Sequence, residues 1–344
     1  MTDHDAVVRT FELETPWQTV EPFLFCMHHD DRYPPGDDQM GPDASLEGRN
    51  LGNDFSGKDG WSMYHGTEVP GFPRHPHRGF ETITIARNGY IDHADSLGAK
   101  ARFGRGDVQW MTAGNGIVHS EMFPLVRRDE PNPTELLQIW LNLPKEAKQR
   151  DPYFTMFWSE EIPDAQFEDD AGRTTEVRVI AGSLEVVDPL DPPPTSWASE
   201  EGADVAVWTI QMEPGAEWTL PAGDDSANRV LYPFVGDRVE IDGRTVETGH
   251  GVELHADRSC PVAAGDEPIE CLLLQGRPIG EPVVKHGPFV MNTEGEIRQA
   301  MLDYRRTEFG GWPWDSEAPV HARDRGRFAV HVDGTEETPG KAEG

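Results

Sequence analysis

Short apolar runs broken by glycine, proline and paired turn residues recur along the whole chain. FETITIAR (80–87), LLQIWLNL (136–143), VRVIAG (177–182), VAVWTIQM (205–212), VLYPFV (230–235), RVEI (238–241) and CLLLQG (271–276) read as strands. In the second run Leu137, Ile139, Leu141 and Leu143 alternate with Gln138, Trp140 and Asn142, the two-residue period of a half-buried strand. Asn88-Gly89 and Asp242-Gly243 are hairpin signals, and their short spacing from neighbouring runs favours antiparallel sheet over βαβ units. One helix is predicted late in the chain. Thr293 and Glu296 form a capping box, Ile297, Ala300, Met301 and Tyr304 recur at helical spacing, and Phe309-Gly310-Gly311 ends it. The acidic stretch SEEIPDAQFEDDAGRT (159–174) reads as a linker, and the last dozen residues as an acidic, disordered tail.

A length of 344 residues suggests two domains at roughly 150 residues each. The pattern divides as 1–158, 175–290 and a C-terminal segment 291–344. The fold class expected is all-β. The 62 acidic and 30 basic side chains leave a net charge of −32, and only six of the cations are lysine. Such a surface repels phosphate backbones and anionic lipid, which argues against direct nucleic-acid or membrane partners. Spread evenly, with lysine scarce, the acid excess fits a salty, halophile-like cytoplasm, where screening weakens self-repulsion. No apolar run is long enough for a membrane span, and MTDHDAVVRTFELE carries acid where a secretion signal needs base, so a cytoplasmic location is expected. Cys26, Cys260 and Cys271 are odd in number and lack metal-site spacing, which fits a reducing compartment and leaves metal chemistry to histidine and carboxylate.

The segment 71–121 concentrates those residue types. His75 and His77 stand two apart, as do His119 and Glu121, and on an extended strand such pairs project to one side. Three imidazoles and a carboxylate suit a first-row divalent ion: Fe(II), Mn, Ni, Cu or Zn. A six-coordinate ion so held keeps two positions for water, O2 or a chelating substrate. Glu81 lies at even spacing from the first pair, so periodicity alone leaves it open as the carboxylate ligand. His28 and His29, beside Asp30 and Asp31, read as a solvated loop, and Trp110 and Trp140 as packing residues. Residues 219–236, where a second site would lie, hold no histidine, and His250, His255 and His286 are isolated. No nucleophile elbow, P-loop or dinucleotide fingerprint is present.

HPHRGFETITI, HADSLG (93–98), GDVQWMTAGNGIVHSEM and GPFVMNTEGEIRQA (287–300) together resemble the pirin family of bicupins, over residues 20 to 310. The resemblance implies two cupin barrels (double-stranded β-helix, jelly-roll) with a C-terminal helix: a metal-binding barrel in 1–158, a metal-free one in 175–290, and the helix and tail in 291–344. It implies His75, His77, His119 and Glu121 as ligands, Fe(II) as the first-choice metal, and Glu121 over Glu81 as the carboxylate.

By the same resemblance, the expected function is a quercetin 2,3-dioxygenase-type reaction, cleaving a flavonol with O2 and releasing carbon monoxide. Glu121, once loosened from the ion, is the candidate catalytic base. The alternative is a redox-sensing iron protein acting through a protein partner. A third reading, sugar-phosphate chemistry, calls for phosphate-binding cations, for which only Arg74, Arg78, Arg87 and Arg102 lie near the motif. A bicupin already pairs two barrels in one chain, so a monomer is expected.

Overall fold

A computed structural model describes residues 6–184 and 187–340. Every apolar run named above lies in or overlaps a strand, and neighbours such as Thr174–Ala181 with Ala206–Met212, Ala206–Met212 with Ile269–Gly276, and Phe80–Asn88 with Asp107–Thr112 pair antiparallel. The strands gather into two compact units. One comprises the chain up to Cys26, Trp140–Asn142 and Glu161–Gly280; the other comprises Met27–Ile139, Leu143–Glu160 and the chain from Glu281.

The second of these units carries the histidine pairs. Its five-stranded sheet runs in the order Tyr153–Phe157, Asp107–Thr112, Phe80–Asn88, Asn132–Asn142, Phe23–Tyr33. Its six-stranded sheet runs Glu336–Glu337, Phe328–Val330, Lys100–Gly104, Tyr90–Asp95, Ile117–Met122, Gly71–His77. Ile91, Ala101, Phe103, Met111, Leu136, Phe154 and Met156 form the buried cluster of this unit. The other unit has a seven-stranded and a four-stranded sheet around Val177, Trp208, Ile210, Leu231, Val252 and Leu273. The three cysteines are buried and unpaired.

The contiguous division 1–158, 175–290 and 291–344 is redrawn by strand pairing at both ends. Val7–Glu12 joins His250–His255 in the seven-stranded sheet, whereas Phe328–Val330 joins Lys100–Gly104 in the six-stranded one. The supposed linker contains Asp164–Glu168, which is the edge strand beside Thr174–Ala181. An acidic strand is tolerated there because one flank of an edge faces no ladder. The tail expected to be disordered contains Glu336–Glu337 paired with Phe328–Val330; its last residues, 341–344, lie outside the described residues. His28 and His29 belong to the strand Phe23–Tyr33 rather than to a loop. His29 is buried, His28 meets Glu135 at 3.0 Å, and Asp31 accepts from Ser62 N and Tyr64 Oη.

The two hairpin signals part company. Asp242-Gly243, with φ of 50° and 72°, makes the tight turn between Arg238–Ile241 and Arg244–Glu247. Asn88-Gly89 is instead a corner: the strand before it belongs to the five-stranded sheet and the strand after it to the six-stranded sheet. The helix forms as expected over Glu294–Thr307. Thr293 Oγ1 accepts from Glu296 N, Glu296 reaches back to Asn292 N, and Ile297 and Ala300 are buried.

Residues beyond 311 are fastened to the six-stranded sheet by buried charge. Arg102 grips Asp92 through two bonds of 2.7 Å and donates to the carbonyls of His321, Ala322 and Arg325. Both side chains are essentially inaccessible to solvent. Removing one partner strands the other charge away from water. Arg102→Ala is expected to lower stability by about 3–5 kcal/mol, measured as a shift of the denaturant midpoint followed by tryptophan fluorescence.

Candidate metal centre

The centre begins with an edge strand. Gly71–His77 (GFPRHPH) lies at the end of the six-stranded sheet, where prolines at 73 and 76 cost no ladder bond on the open side. It pairs with Ile117–Met122 in a register that changes midway: Phe72 faces Glu121, but His75 faces His119. Pro73 and Arg74 together oppose the single residue Ser120, so a one-residue bulge separates the two registers. Directly opposed residues of an antiparallel pair point to the same face, so the slip decides which side His75 and His77 share. With it, they share the face of His119 and Glu121. The bulge's free groups are used locally: Pro73 O accepts from His75 Nδ1 at 2.9 Å, and Arg74 N donates to Glu317 O at 2.7 Å.

Three imidazoles converge as a result. His75, His77 and His119 offer nitrogens that all lie within 4.8 Å of one another. Their ring centroids are 4.4 to 4.9 Å apart. Among the described residues this is the one group of three or more potential ligand side chains at such separations. The His75 bond to Pro73 O places the proton on Nδ1 and leaves Nε2 its lone pair. His119 is fully buried, and neither of its ring nitrogens has a hydrogen-bond partner. Burial without a partner costs about 1–3 kcal/mol for such a group, a cost that a coordinated cation removes. Burial also pushes the imidazole pKa values down, to about 4 for His75 and well below the ordinary value for His77 and His119. The rings are therefore neutral, as ligands need to be. The donor set fits a divalent transition ion.

Glu121 stands beside this group. Its Oε2 lies 3.7 Å from His119 Nε2, too long for a hydrogen bond. Burial raises its pKa to about 6, opposed by His93 and by hydrogen bonds from Gln138 and Thr84. Thr84 Oγ1 lies 2.7 Å from Gln138 Oε1 and 3.4 Å from Glu121 Oε1. Both partners come from the five-stranded sheet, so the carboxylate is steadied from across the unit's interior. Gln138 is the polar member of an alternating run, and that position alone gives no sign that it faces a carboxylate. His93 and Asp95 both lie within HADSLG. They oppose Glu121 and His119 in the neighbouring ladder and so share their face, with the His93 ring 5.5 Å from that of His119.

Glu81 points elsewhere. Between His77 and Phe80 the chain leaves one sheet for the other, and Gly79 makes the corner with φ of 86°, where a Cβ would meet Val290 O at 1.9 Å. Even spacing therefore carries no facing information across that corner. Within Phe80–Asn88, Glu81 is three residues from Thr84 and on the opposite face. It accepts from Trp110 Nε1 at 3.2 Å and Thr112 Oγ1 at 2.6 Å. Trp110 is fully buried and Trp140 packs on Phe25, as packing residues should.

Comparison with known proteins follows the same lines. The pirin family model matches residues 5–141, and the model of the pirin C-terminal cupin domain matches residues 207–310. The chain belongs to the pirin family. A pirin-like protein of Caulobacter vibrioides is 38% identical over 243 residues, covering 70% of this chain and 80% of the relative. A Pseudomonas aeruginosa protein, provisionally named a quercetin 2,3-dioxygenase, is 35% identical over 251 residues, covering 70% of this chain and 79% of its own length. The crystal structure of quercetin 2,3-dioxygenase from Acinetobacter baumannii superposes with a TM-score of 0.70 at 25% identity, covering 89% of this chain and 98% of that one. The fold is thus an all-β bicupin. Among the described residues no helix is long and apolar enough to cross a membrane.

Because Glu81 faces away from the imidazoles, Glu81→Gln is expected to keep the metal stoichiometry of the parent. Elemental analysis of the two purified proteins checks this.

Proposed function

We propose that this pirin is a metal-dependent oxygenase of the quercetin 2,3-dioxygenase type, with His75, His77, His119 and Glu121 as ligands and Fe(II) as the metal, Mn, Ni, Cu or Zn being the alternatives. The observation that carries the reading is the fully buried His119, its two nitrogens unbonded, facing two further neutral imidazoles. The relatives named for quercetin cleavage support the substrate class. A divalent ion bound there supplies Lewis acidity toward the 3-hydroxyl and 4-carbonyl of a flavonol and places for O2 to react.

The protein's own groups have separate tasks. His75 is oriented by Pro73 O, which fixes its tautomer. Glu121 takes the proton of the flavonol 3-hydroxyl, and Thr84 and Gln138 hold its carboxylate in place while it does so. Phe103, Met111 and Phe154 line the apolar interior and limit water. Overall, one flavonol and one O2 give one carbon monoxide and one ester product, so the reaction needs no external reductant.

Reconstitution of metal-free protein with each ion, followed in an oxygen electrode with quercetin, tests the reading. Oxygen uptake and carbon monoxide release are expected with at least one stoichiometrically bound ion. Stoichiometric binding without uptake across the series would overturn it. His119→Ala is expected to lose both metal and turnover, and Glu121→Gln to lower turnover about a hundredfold or more.

A further inference from the structure

A cavity of about 970 Å³ has His75 in its lining. One part of its lining comes from Met40, Val69 and their neighbours; the other is seven consecutive residues, Trp314–Val320. Those seven lie beyond the family match, which ends at residue 310. They are nevertheless built into the metal-binding unit. Trp314 Nε1 donates to Asp95 O at 2.8 Å, and Glu317 O takes the Arg74 N–H that the bulge leaves free. His321 N, just past the segment, donates to Asp92 Oδ2 at 2.7 Å. The segment is thus held at both ends against the strand Tyr90–Asp95 and at its middle against Gly71–His77, the strand that bears His75 and His77.

The charge of this lining is one-sided. Glu68, Asp315 and Glu317 contribute carboxylates. The guanidinium facing them, Arg74, is matched by Glu317 at 3.3 Å and Glu308 at 3.4 Å. A concave site with surplus negative charge repels anions and admits neutral ligands. Met40, Val69, Pro73, Trp314, Pro319 and Val320 give the lining apolar and aromatic surface, uncharged polar groups such as Gln39, Thr67 and Ser316 stand among them, and the volume suits a ligand of three fused or linked rings.

We propose that Trp314–Val320 is the specificity wall of the ligand cavity beside His75, selecting uncharged planar polyphenols and rejecting their sulfonated or carboxylated analogues. This deepens the oxygenase reading by naming the residues that choose its substrate, and it rests on that reading only for the chemistry, not for the binding. Trp314 and Glu317 are specificity-determining residues rather than catalytic ones.

The test measures binding, without turnover, under anaerobic conditions on the full-length metal-loaded protein. Quercetin and quercetin sulfonate are titrated calorimetrically into the parent, Trp314→Ala, Trp314→Phe and the double variant Asp315→Lys/Glu317→Lys. The parent is expected to prefer quercetin. Trp314→Ala should weaken quercetin binding about tenfold, with recovery in Trp314→Phe. The double variant should shift the preference about tenfold toward the sulfonate, with unchanged metal content and melting temperature. A purely structural role would not move that ratio. The inference is overturned if the parent binds neither ligand, or if the folded, metal-loaded variants bind both as the parent does. Absence of oxygen uptake alongside shifted binding ratios would sink the oxygenase reading and leave the wall standing.

Discussion

The candidate centre depends on one extra residue in an edge strand. Without the bulge at Pro73-Arg74, His75 would oppose Val118, and its ring would project away from His119. The bulge is sustained by groups that a regular ladder would not leave available. Pro73 has no N–H to satisfy, its carbonyl is taken by the His75 ring, and the Arg74 N–H is answered from outside the sheet by Glu317. The irregularity that aligns the rings also fixes a tautomer and ties down a distant segment. Pairing on the far side of Ile117–Met122 is regular and places His93 and Asp95 on the same face. A single sheet face therefore collects four imidazoles and two carboxyl side chains.

Burial dominates the electrostatics of this centre. The chain carries a strongly negative surface, yet the rings are kept neutral by desolvation and by one another. Glu121 shows the same influence with the opposite sign, moderated by Thr84 and Gln138 from the facing sheet. Neutral imidazoles and a carboxyl group of raised pKa thus arise from the same cause.

Much of this was legible in the sequence. Two-residue periodicity located the strands, the Thr293–Glu296 pair located the helix, and the i, i+2 pairs located the imidazoles, because each signal is local. What remained hidden depends on contacts distant in the chain. The fate of Asn88-Gly89 turns on which sheet takes the following strand, and the facing of Glu81 on the corner at Gly79. Ala165 and Phe167 alternate with polar residues over only five positions of an acidic stretch, and Glu336–Glu337 has no apolar member; both become strands where a neighbour offers an open edge. Gln138, Thr84 and His93 carry no motif of their own; only cross-sheet geometry singles them out.

The crossed placement of the chain ends has a consequence for biosynthesis. The first strand, Val7–Glu12, finds its partner only at His250–His255, and the sheet bearing the imidazoles is finished by Phe328–Val330. During translation the N-terminal strand leaves the ribosome long before its neighbour exists, and the Arg102–Asp92 pair waits for His321 to Arg325 to cover it. Neither unit can therefore close around an early stretch of chain: one waits for His250–His255 and the other for Phe328–Val330.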